Sequence, residues 1–181
     1  MAVIDTALLG ELTVQLADGD ITNQAGFDAV VNAANAQLRP GGGVAGAIHR
    51  AAGPGLYEEC RALAPIHPGE CVITSGHALT NPWVLHCLGP VYGVDEPSDR
   101  LLASCYRHAL QLADARELTS VAFPALSTGV FGYPMREAAG VALSTVQQLA
   151  PALRNVRLVR FVLVGDEAAE AHQDALRAVT S

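Results

Sequence analysis

The sequence predicts a single α/β domain in which helices cover both faces of a central sheet. Short apolar runs alternate with longer segments of helical periodicity almost to the end of the chain, which is the pattern of layered α/β proteins. Several of these runs are apolar on both faces, as strands covered on two sides must be. With 181 residues, half of them hydrophobic, the chain can bury one sizeable core.

Six segments carry the strand pattern, being rich in β-branched and apolar residues and bounded by turn formers. They are ELTVQLA (11–17), DAVVNAA (28–34), CVITSG (71–76), WVLHCLG (83–89), SVAFPAL (120–126) and LVRFVLV (158–164). The prediction is therefore a sheet of about six strands.

Four segments have helical spacing, namely 43–63, 98–115, 135–150 and 167–179. The segment 98–115 begins with Ser98 as a candidate N-cap and places its apolar side chains on one broad face. We expect His108 on this helix to be a surface or hydrogen-bonded structural residue. No repeat or composition break divides the chain, so residues 1–181 are treated as one domain.

The four cysteines are spread through a chain too large to need disulfide staples, which favours buried, reduced thiols in a reducing compartment. Cys60, His67 and Cys71 are close enough in sequence to raise a zinc site as an alternative. The tight CxxC pairs of structural zinc sites are absent. We predict no metal and no cofactor.

The net charge is −7, and all eleven basic residues are arginines. An acidic protein is a poor candidate for a surface that neutralises nucleic-acid phosphates. A P-loop is excluded because its signature requires a lysine. The N-terminal stretch MAVIDTALLGELTV has no basic leader, and no apolar run reaches membrane-span length, so we expect a cytoplasmic protein without a membrane partner. The sequence leaves the oligomeric state open.

The stretch NAANAQLRPGGGVAGAIHRAAG (32–53) places three glycines between a predicted strand and a predicted helix. The first N–H groups of a helix are unpaired and carry the positive end of its dipole. Glycine lets an anion approach this backbone closely. The loop is therefore predicted to bind phosphate through N–H groups, and a merely flexible turn is the alternative.

The same letters match GxGxxG at Gly41, Gly43 and Gly46, which raises a dinucleotide-binding Rossmann alternative. That match is weak, because several residues separate the strand from the first glycine. The acidic residues Glu58 and Glu59 fall inside the helix and not at the end of a following strand.

A second loop, LSTGVFGYP (126–134), also joins a predicted strand to a predicted helix. Two such loops facing one crevice would hold a diphosphate from both sides. Phe131 and Tyr133 are candidates to cover a ribose or base, with packing beneath the loop as the alternative for each ring.

Five stretches together resemble the macrodomain family of ADP-ribose-binding modules, in its MacroD-type branch, which includes O-acetyl-ADP-ribose deacetylases. They are GDIT (19–22), DAVVNAAN (28–35), GGGVAGAIHRAAGPGLYEEC (41–60), LHCLGPVY (85–92) and SVAFPALSTGVFGYP (120–134). The resemblance implies a three-layer α/β/α sandwich with a mixed, mostly parallel sheet. It also implies that ADP-ribose, free or on a modified protein, is the partner.

Carried over by position, the resemblance implies contacts to each part of ADP-ribose. Asp20 and the Ile21 backbone would hold adenine, and Asn35 would orient the distal ribose as the candidate catalytic residue. The remaining residues would line the diphosphate and the distal ribose, from one side Gly42, Gly43, Val44 and Ala45, and from the other Ser127, Thr128, Gly129, Val130 and Phe131.

The sequence departs from the family pattern at two positions. Ala45 stands where MacroD-type hydrolases place the aspartate implicated in catalysis, and alanine cannot orient or activate water. Gly165 stands where relatives often have an aromatic that stacks on adenine. His49 and Arg50, one turn inside the helix, are expected to be structural or solvent-facing.

Three functions are therefore weighed. The favoured one is hydrolysis of ADP-ribosyl esters, on Asp or Glu side chains of modified proteins or in O-acetyl-ADP-ribose, with Asn35 working by positioning. The second is a reader that binds ADP-ribose without chemistry. The third, a Rossmann dehydrogenase, is disfavoured by the glycine spacing.

Overall fold

The computed structural model describes residues 1–181 as a seven-stranded mixed sheet with helices on both faces. The strands are β1 (Ala2–Leu9), β2 (Leu12–Asp18), β3 (Ala29–Ala33), β4 (Cys71–Ser75), β5 (Trp83–Cys87), β6 (Ser120–Phe123) and β7 (Leu158–Leu163). Their order is β1-β2-β7-β6-β3-β5-β4. The five central strands, β2, β7, β6, β3 and β5, run parallel to one another. The edge strands β1 and β4 pair antiparallel with β2 and β5. The predicted α/β/α sandwich is confirmed, and the order is not that of a Rossmann sheet.

The additional strand, β1, was not predicted. It is an edge strand whose residues are mostly exposed, so it lacks the apolar signature of the covered strands. The two residues Gly10 and Glu11 connect it to β2, and Gly10 has a φ of 63°. A two-residue turn that begins with glycine is typical of a β-hairpin, so the Gly-Glu pair was the signal available in the sequence for this strand.

The helices are α1 (Gly43–Ala52), α2 (Pro54–Cys60), α3 (Ser98–Ala115), α4 (Met135–Leu149) and α5 (Asp166–Thr180). The prediction of one helix over 43–63 is wrong. Gly53, with a φ of 83°, ends α1, and Pro54 begins α2. Proline lacks the N–H that a helix interior needs but fits the first helical turn. α3 begins at Ser98 itself, which follows the N-cap Pro97.

Two hydrophobic clusters fill the space between the sheet and its helices. The larger one lies beneath α3, α4 and α5 and includes Tyr106, Phe123 and Phe161, whose ring centroids are 5.1 to 6.0 Å apart. The smaller one lies beneath α1 and α2 and includes Ile48 and Leu56. Since both faces are packed, the ends of the central strands are held in fixed positions. None of the helices is both long and apolar enough to cross a membrane.

The expectation of four reduced cysteines is corrected for two of them. Cys71 on β4 lies directly opposite Cys87 on β5, with a Cα–Cα distance of 4.3 Å, and the two form a disulfide. Strand pairing creates this proximity, and a separation of 16 residues does not reveal it. Cys60 and Cys105 are buried free thiols.

The residues of the zinc alternative are not brought together. His67 is exposed and lies 2.8 Å from a Glu70 carboxylate oxygen, Cys71 is in the disulfide, and Cys60 Sγ lies 3.8 Å from His86 Nε2. No three His, Cys, Asp or Glu side chains of the chain are grouped to hold a metal ion. His108 is hydrogen-bonded to the Gly69 carbonyl at 2.8 Å, which confirms it as structural.

Candidate ligand-binding site

The sequence-predicted site residues lie along one edge of the sheet. Because the five central strands are parallel, their carboxyl ends lie at the same edge of the sheet. Asp20 and Ile21 follow β2, Gly165 follows β7, the loop 124–134 follows β6, and the loop 34–42 follows β3. The tertiary structure thus gathers segments that are more than 100 residues apart in sequence.

The loops that follow β3 and β6 leave the same edge of the sheet side by side, because these two strands pair in parallel; the space between the two loops is called the crevice below. These strands are neighbours, yet β3 leads through α1, α2 and β4 to β5 on one side, whereas β6 leads through α4 to β7 on the other. The chain therefore leaves the two strands in opposite directions. Such a switch point at the carboxyl edge is where open α/β sheets bind ligands.

The first loop presents unpaired N–H groups at the start of α1. The N-cap is Gly42, which has no side chain to satisfy them. The first backbone bond of the helix runs from the Gly46 N–H to the Gly42 carbonyl at 3.1 Å, so the N–H groups of Gly43, Val44 and Ala45 have no acceptor within the chain. Three donors and the positive end of the helix dipole are thus left unsatisfied at the start of α1.

Asn35 closes the turn that precedes these glycines. Its Oδ1 accepts a hydrogen bond from the Arg39 N–H at 3.0 Å, and its Nδ2 donates to the Arg39 carbonyl at 2.8 Å. Nδ2 also lies 3.5 Å from where a Cβ on Gly41 would stand. The side chain is therefore held beside the glycines, and it shapes the loop whatever else it contacts.

The second loop presents a similar row of N–H groups. Its internal bonds involve the N–H groups of Thr128, Gly132 and Tyr133 and the Thr128 hydroxyl. The N–H groups of Gly129, Val130 and Phe131 have no acceptor within the chain, and Val130 is fully exposed at the loop tip.

The two aromatic rings of the second loop are placed differently. Phe131 is half-buried against the smaller core cluster, whereas Tyr133 is buried in the larger one. Tyr133 therefore packs beneath the loop, whereas part of the Phe131 ring stays exposed to solvent. Ser127, with a φ of 67°, places its buried hydroxyl against Gly89 at the end of β5, where any Cβ would overlap it.

The carboxyl group of Asp20 is ionised and can accept hydrogen bonds. Its Oδ1 accepts bonds from the Thr22 N–H at 2.8 Å and the Thr22 hydroxyl at 2.7 Å. These bonds hold the pKa of the carboxyl below its ordinary value, so Asp20 is ionised and its second oxygen is free. Ile21 beside it is buried. At the neighbouring end of β7, Gly165 is preceded by the exposed Val164.

His49 lies one turn after Ala45 on α1, so the two share a helix face. It is buried, and neither ring nitrogen has a hydrogen-bond partner. Burial lowers the pKa of His49, which keeps its ring neutral. His49 is therefore a buried structural residue, and Arg50 is the solvent-facing one of the pair.

A buried polar chain that the sequence analysis missed lies in the strands beneath the first loop. Asn32 Nδ2 on β3 lies 3.1 Å from His86 Nδ1 on β5, and His86 Nε2 lies 2.9 Å from Thr74 Oγ1 on β4. Burial, followed by the nearby His49, lowers the pKa of His86 to about 3. Single polar letters inside the apolar strands AVVNA and WVLHC were the available signal.

The fold is therefore that of an α/β protein in which two loops at a sheet switch point carry N–H groups without an acceptor in the chain, and such groups suit an anionic ligand. Residues 31–142 match the Macro domain family, and the chain belongs to it. A Macro domain-containing protein of Chlorobaculum tepidum is 46% identical over 160 residues, covering 88% of this chain and 92% of that protein.

Solved structures agree. The Oceanobacillus iheyensis macrodomain with ADP is 38% identical with a TM-score of 0.92, covering 97% of this chain and 95% of that one. The Trypanosoma brucei macrodomain in complex with ADP-ribose is 36% identical with a TM-score of 0.83, covering 90% of this chain and 68% of that one. The macrodomain resemblance and fold are thereby confirmed.

Proposed function

We propose that this protein binds ADP-ribose in the crevice and hydrolyses ADP-ribosyl esters, on Asp or Glu side chains of modified proteins or in O-acetyl-ADP-ribose, releasing ADP-ribose. The observation that carries the proposal is the pair of loops whose six N–H groups, of residues 43–45 and 129–131, have no acceptor within the chain. Macrodomains with the same fold have been solved with ADP and with ADP-ribose.

The chemistry of the crevice suits a diphosphate. A hydrogen bond from an N–H group to a charged acceptor contributes about 1.5–3 kcal/mol, so a few such bonds suffice without a lysine. Asp20 follows β2 beside the end of β7, is ionised and has a free oxygen, so it would accept a hydrogen bond from the adenine amine. Asn35 would orient the distal ribose from the turn before Gly41.

Hydrolysis would proceed by positioning. The water oxygen bonds to the acyl carbon, the bond between that carbon and the ribose oxygen breaks, and one water proton ends on the ribose oxygen. The products are ADP-ribose and a free carboxylic acid. Ala45 supplies no carboxylate to activate that water, so the phosphate and the loop backbone would hold it near the ribose. Positioning of this kind is a large part of many enzymatic rate enhancements.

A substitution at the loop tip tests the diphosphate contact. Val130→Pro removes one N–H group, whereas Val130→Ala keeps it and serves as the matched control. We expect proline to weaken ADP-ribose binding by about 10- to 150-fold, from the loss of one charge-assisted bond, and alanine to have little effect. Calorimetry measures the affinity of both variants for ADP-ribose. Equal affinities would show that the Val130 N–H group does not contribute to binding.

A release assay separates hydrolase from reader. Wild-type protein and Asn35→Ala are incubated with an Asp/Glu-ADP-ribosylated protein, and thermal melting checks that loss of the Arg39 turn has not unfolded the variant. Release by wild type alone supports hydrolysis, whereas saturable ADP-ribose binding without release identifies a reader.

The variant Ala45→Asp extends this assay. It would place a carboxylate one turn from the neutral His49 and should raise the rate of release above that of wild type. No gain would mean that the attacking water lies elsewhere.

A further inference from the structure

A cavity of about 450 Å³ lies beside the second loop, between the segment 92–99 and the start of α4. Five of the eight residues in its wall carry side chains of two kinds. Three are carboxylates, Glu96, Asp99 and Glu137, and two are phenols, Tyr92 and Tyr133. No arginine contributes to the wall. The cavity is therefore an acidic, aromatic pocket on the surface, and we refer to these five residues as the acidic pocket.

The carboxylates of the acidic pocket are not neutralised within the chain. None of them takes part in any ion pair of the structure. The one hydrogen bond of the Glu137 side chain is accepted from the Tyr92 hydroxyl at 3.2 Å. Asp99 and Glu137 lie in the first turns of α3 and α4, where the helix dipole favours acids. Glu96 and Asp99 accept backbone N–H bonds from Ser98 at 3.2 Å and Arg100 at 2.9 Å, but no cation of the chain pairs with any of the three carboxylates.

Tyr133 is the second, independent feature that points to a ligand. Its side chain is 5% exposed, and no protein group is hydrogen-bonded to its hydroxyl. Tyr133 lines the same cavity as Asp99 and Glu137, and burial, followed by these two acids, raises the pKa of its phenol. A neutral, unpartnered hydroxyl therefore faces the space between them.

The rings complete the pocket. Tyr92 and Tyr133 have their centroids 4.7 Å apart at an angle of 56°, and Tyr92 is 41% exposed. An open phenol face beside carboxylates attracts a guanidinium group by cation–π and charge interactions together. Arginine fits better than lysine, because its planar group stacks on a ring while its N–H groups reach acceptors in a fork.

We propose that the acidic pocket binds an arginine side chain of the ADP-ribosylated protein, close in sequence to the modified residue. The placement supports this. The Tyr92 N–H donates to the Phe131 carbonyl at 2.9 Å, and the Tyr133 N–H donates to the Ser127 carbonyl at 2.9 Å. Both tyrosines of the acidic pocket are therefore hydrogen-bonded to the second loop, whose N–H groups belong to the proposed ADP-ribose site.

This inference rests on the proposed function, since the peptide reaches the pocket only if its ADP-ribose occupies the crevice. An extended peptide advances roughly 3.3 Å per residue. A basic residue within about four positions of the modified one is therefore in reach of a neighbouring pocket. The pocket would select substrates by their sequence, and it would not alter the affinity for free ADP-ribose.

The test uses two peptides with ADP-ribose joined through a non-hydrolysable amide linkage, identical except for one arginine replaced by glutamine. Calorimetry measures both against wild type, the double variant Asp99→Asn with Glu137→Gln, and Glu58→Gln, an exposed acid on α2 that pairs only with Arg61. Wild type should bind the arginine peptide about three- to tenfold more tightly than the glutamine peptide. The preference should fall as salt rises.

The double variant should lose this preference and Glu58→Gln should keep it, while all three proteins bind free ADP-ribose equally. Equal affinity of wild type for the two peptides, or a preference that survives in the double variant, overturns the inference and leaves the proposed function intact. Failure of wild type to bind free ADP-ribose overturns the proposed function, and the inference with it.

Discussion

Gly46→Ala tests whether the shape of the first loop depends on a close backbone contact. Gly46 lies inside α1, and a Cβ at this position would overlap the carbonyl oxygen of Gly41 and come within 3.2 Å of its carbonyl carbon. The same Cβ would lie 3.0 Å from Arg50 Nη1, which can move because it ends a flexible side chain. The backbone of Gly41 cannot move without shifting Gly42 and Gly43, whose positions aim the helix N–H groups.

Two opposing terms set the magnitude. Alanine stabilises an α-helix by about 1 kcal/mol relative to glycine, whereas forcing an extra carbon into a filled space costs about 1–3 kcal/mol. The net loss of stability is therefore small, about 0–2 kcal/mol. If the displaced loop must be restored for binding, ADP-ribose affinity falls by about 5- to 150-fold.

Gly140→Ala is the matched control. Gly140 is also inside a helix, α4, and a Cβ there would have no neighbour within 4 Å. We expect it to raise the free energy of unfolding by about 0.5–1 kcal/mol and to leave ADP-ribose affinity unchanged. Urea unfolding and calorimetry on both variants make the comparison. Wild-type affinity in Gly46→Ala would refute the claim that this contact fixes the binding loop.

Three further predictions concern stability and redox state. The pKa of His86 is lowered to about 3 in the folded protein. Below pH 6.5, the ordinary pKa of histidine, His86 therefore binds a proton in the unfolded state but stays neutral in the folded state. Stability is therefore lost as pH falls from about 6.5 toward 3, and His86→Gln should reduce the loss between pH 7 and 5 by roughly 2 kcal/mol in urea unfolding; an unchanged pH dependence would contradict this. Asp114 accepts N–H bonds from Arg154, Asn155 and Val156 at 2.7 to 3.1 Å, so Asp114→Ala should cost about 2 kcal/mol, against about 0.5 kcal/mol for the exposed ion-pair control Asp174→Ala; similar losses would mean that the three bonds contribute little. A thiol assay in denaturant should find the two thiols of Cys60 and Cys105 before reduction and four after it, and four from the outset would contradict the Cys71–Cys87 bond.

The covered strands were predictable because burial on both faces leaves a local signature. The runs around Val30, Leu85 and Phe161 are apolar on both faces except for one polar residue each, and each became a strand of the central sheet. β1 escaped prediction because an exposed edge strand has no such run. The break at Gly53 escaped because the apolar helical spacing continues across it into α2, and only the Gly-Pro pair marks the new start.

The two glycine loops could be recognised as anion sites from their neighbours in the chain, since a loop that opens a helix always has unpaired N–H groups. Which strands lie side by side could not be deduced in the same way. β3 and β6 are separated by 86 residues between their ends, and only the pairing of the sheet places their loops across one crevice. The acidic pocket is of the same kind, because its two halves come from the segment 92–99 and from the start of α4.

The sequence by itself determined the layered class of this protein, the glycine loops and, through its motifs, the family. Those features depend on local chemistry, namely which residues tolerate burial, which leave the backbone open and which end a helix. The tertiary structure alone decided the Cys71–Cys87 bond, the unpartnered burial of His49 and the side chains that share a cavity with Tyr133. These features depend on distances between segments far apart in the chain, and such distances are set only when the whole sheet and its two cores pack together.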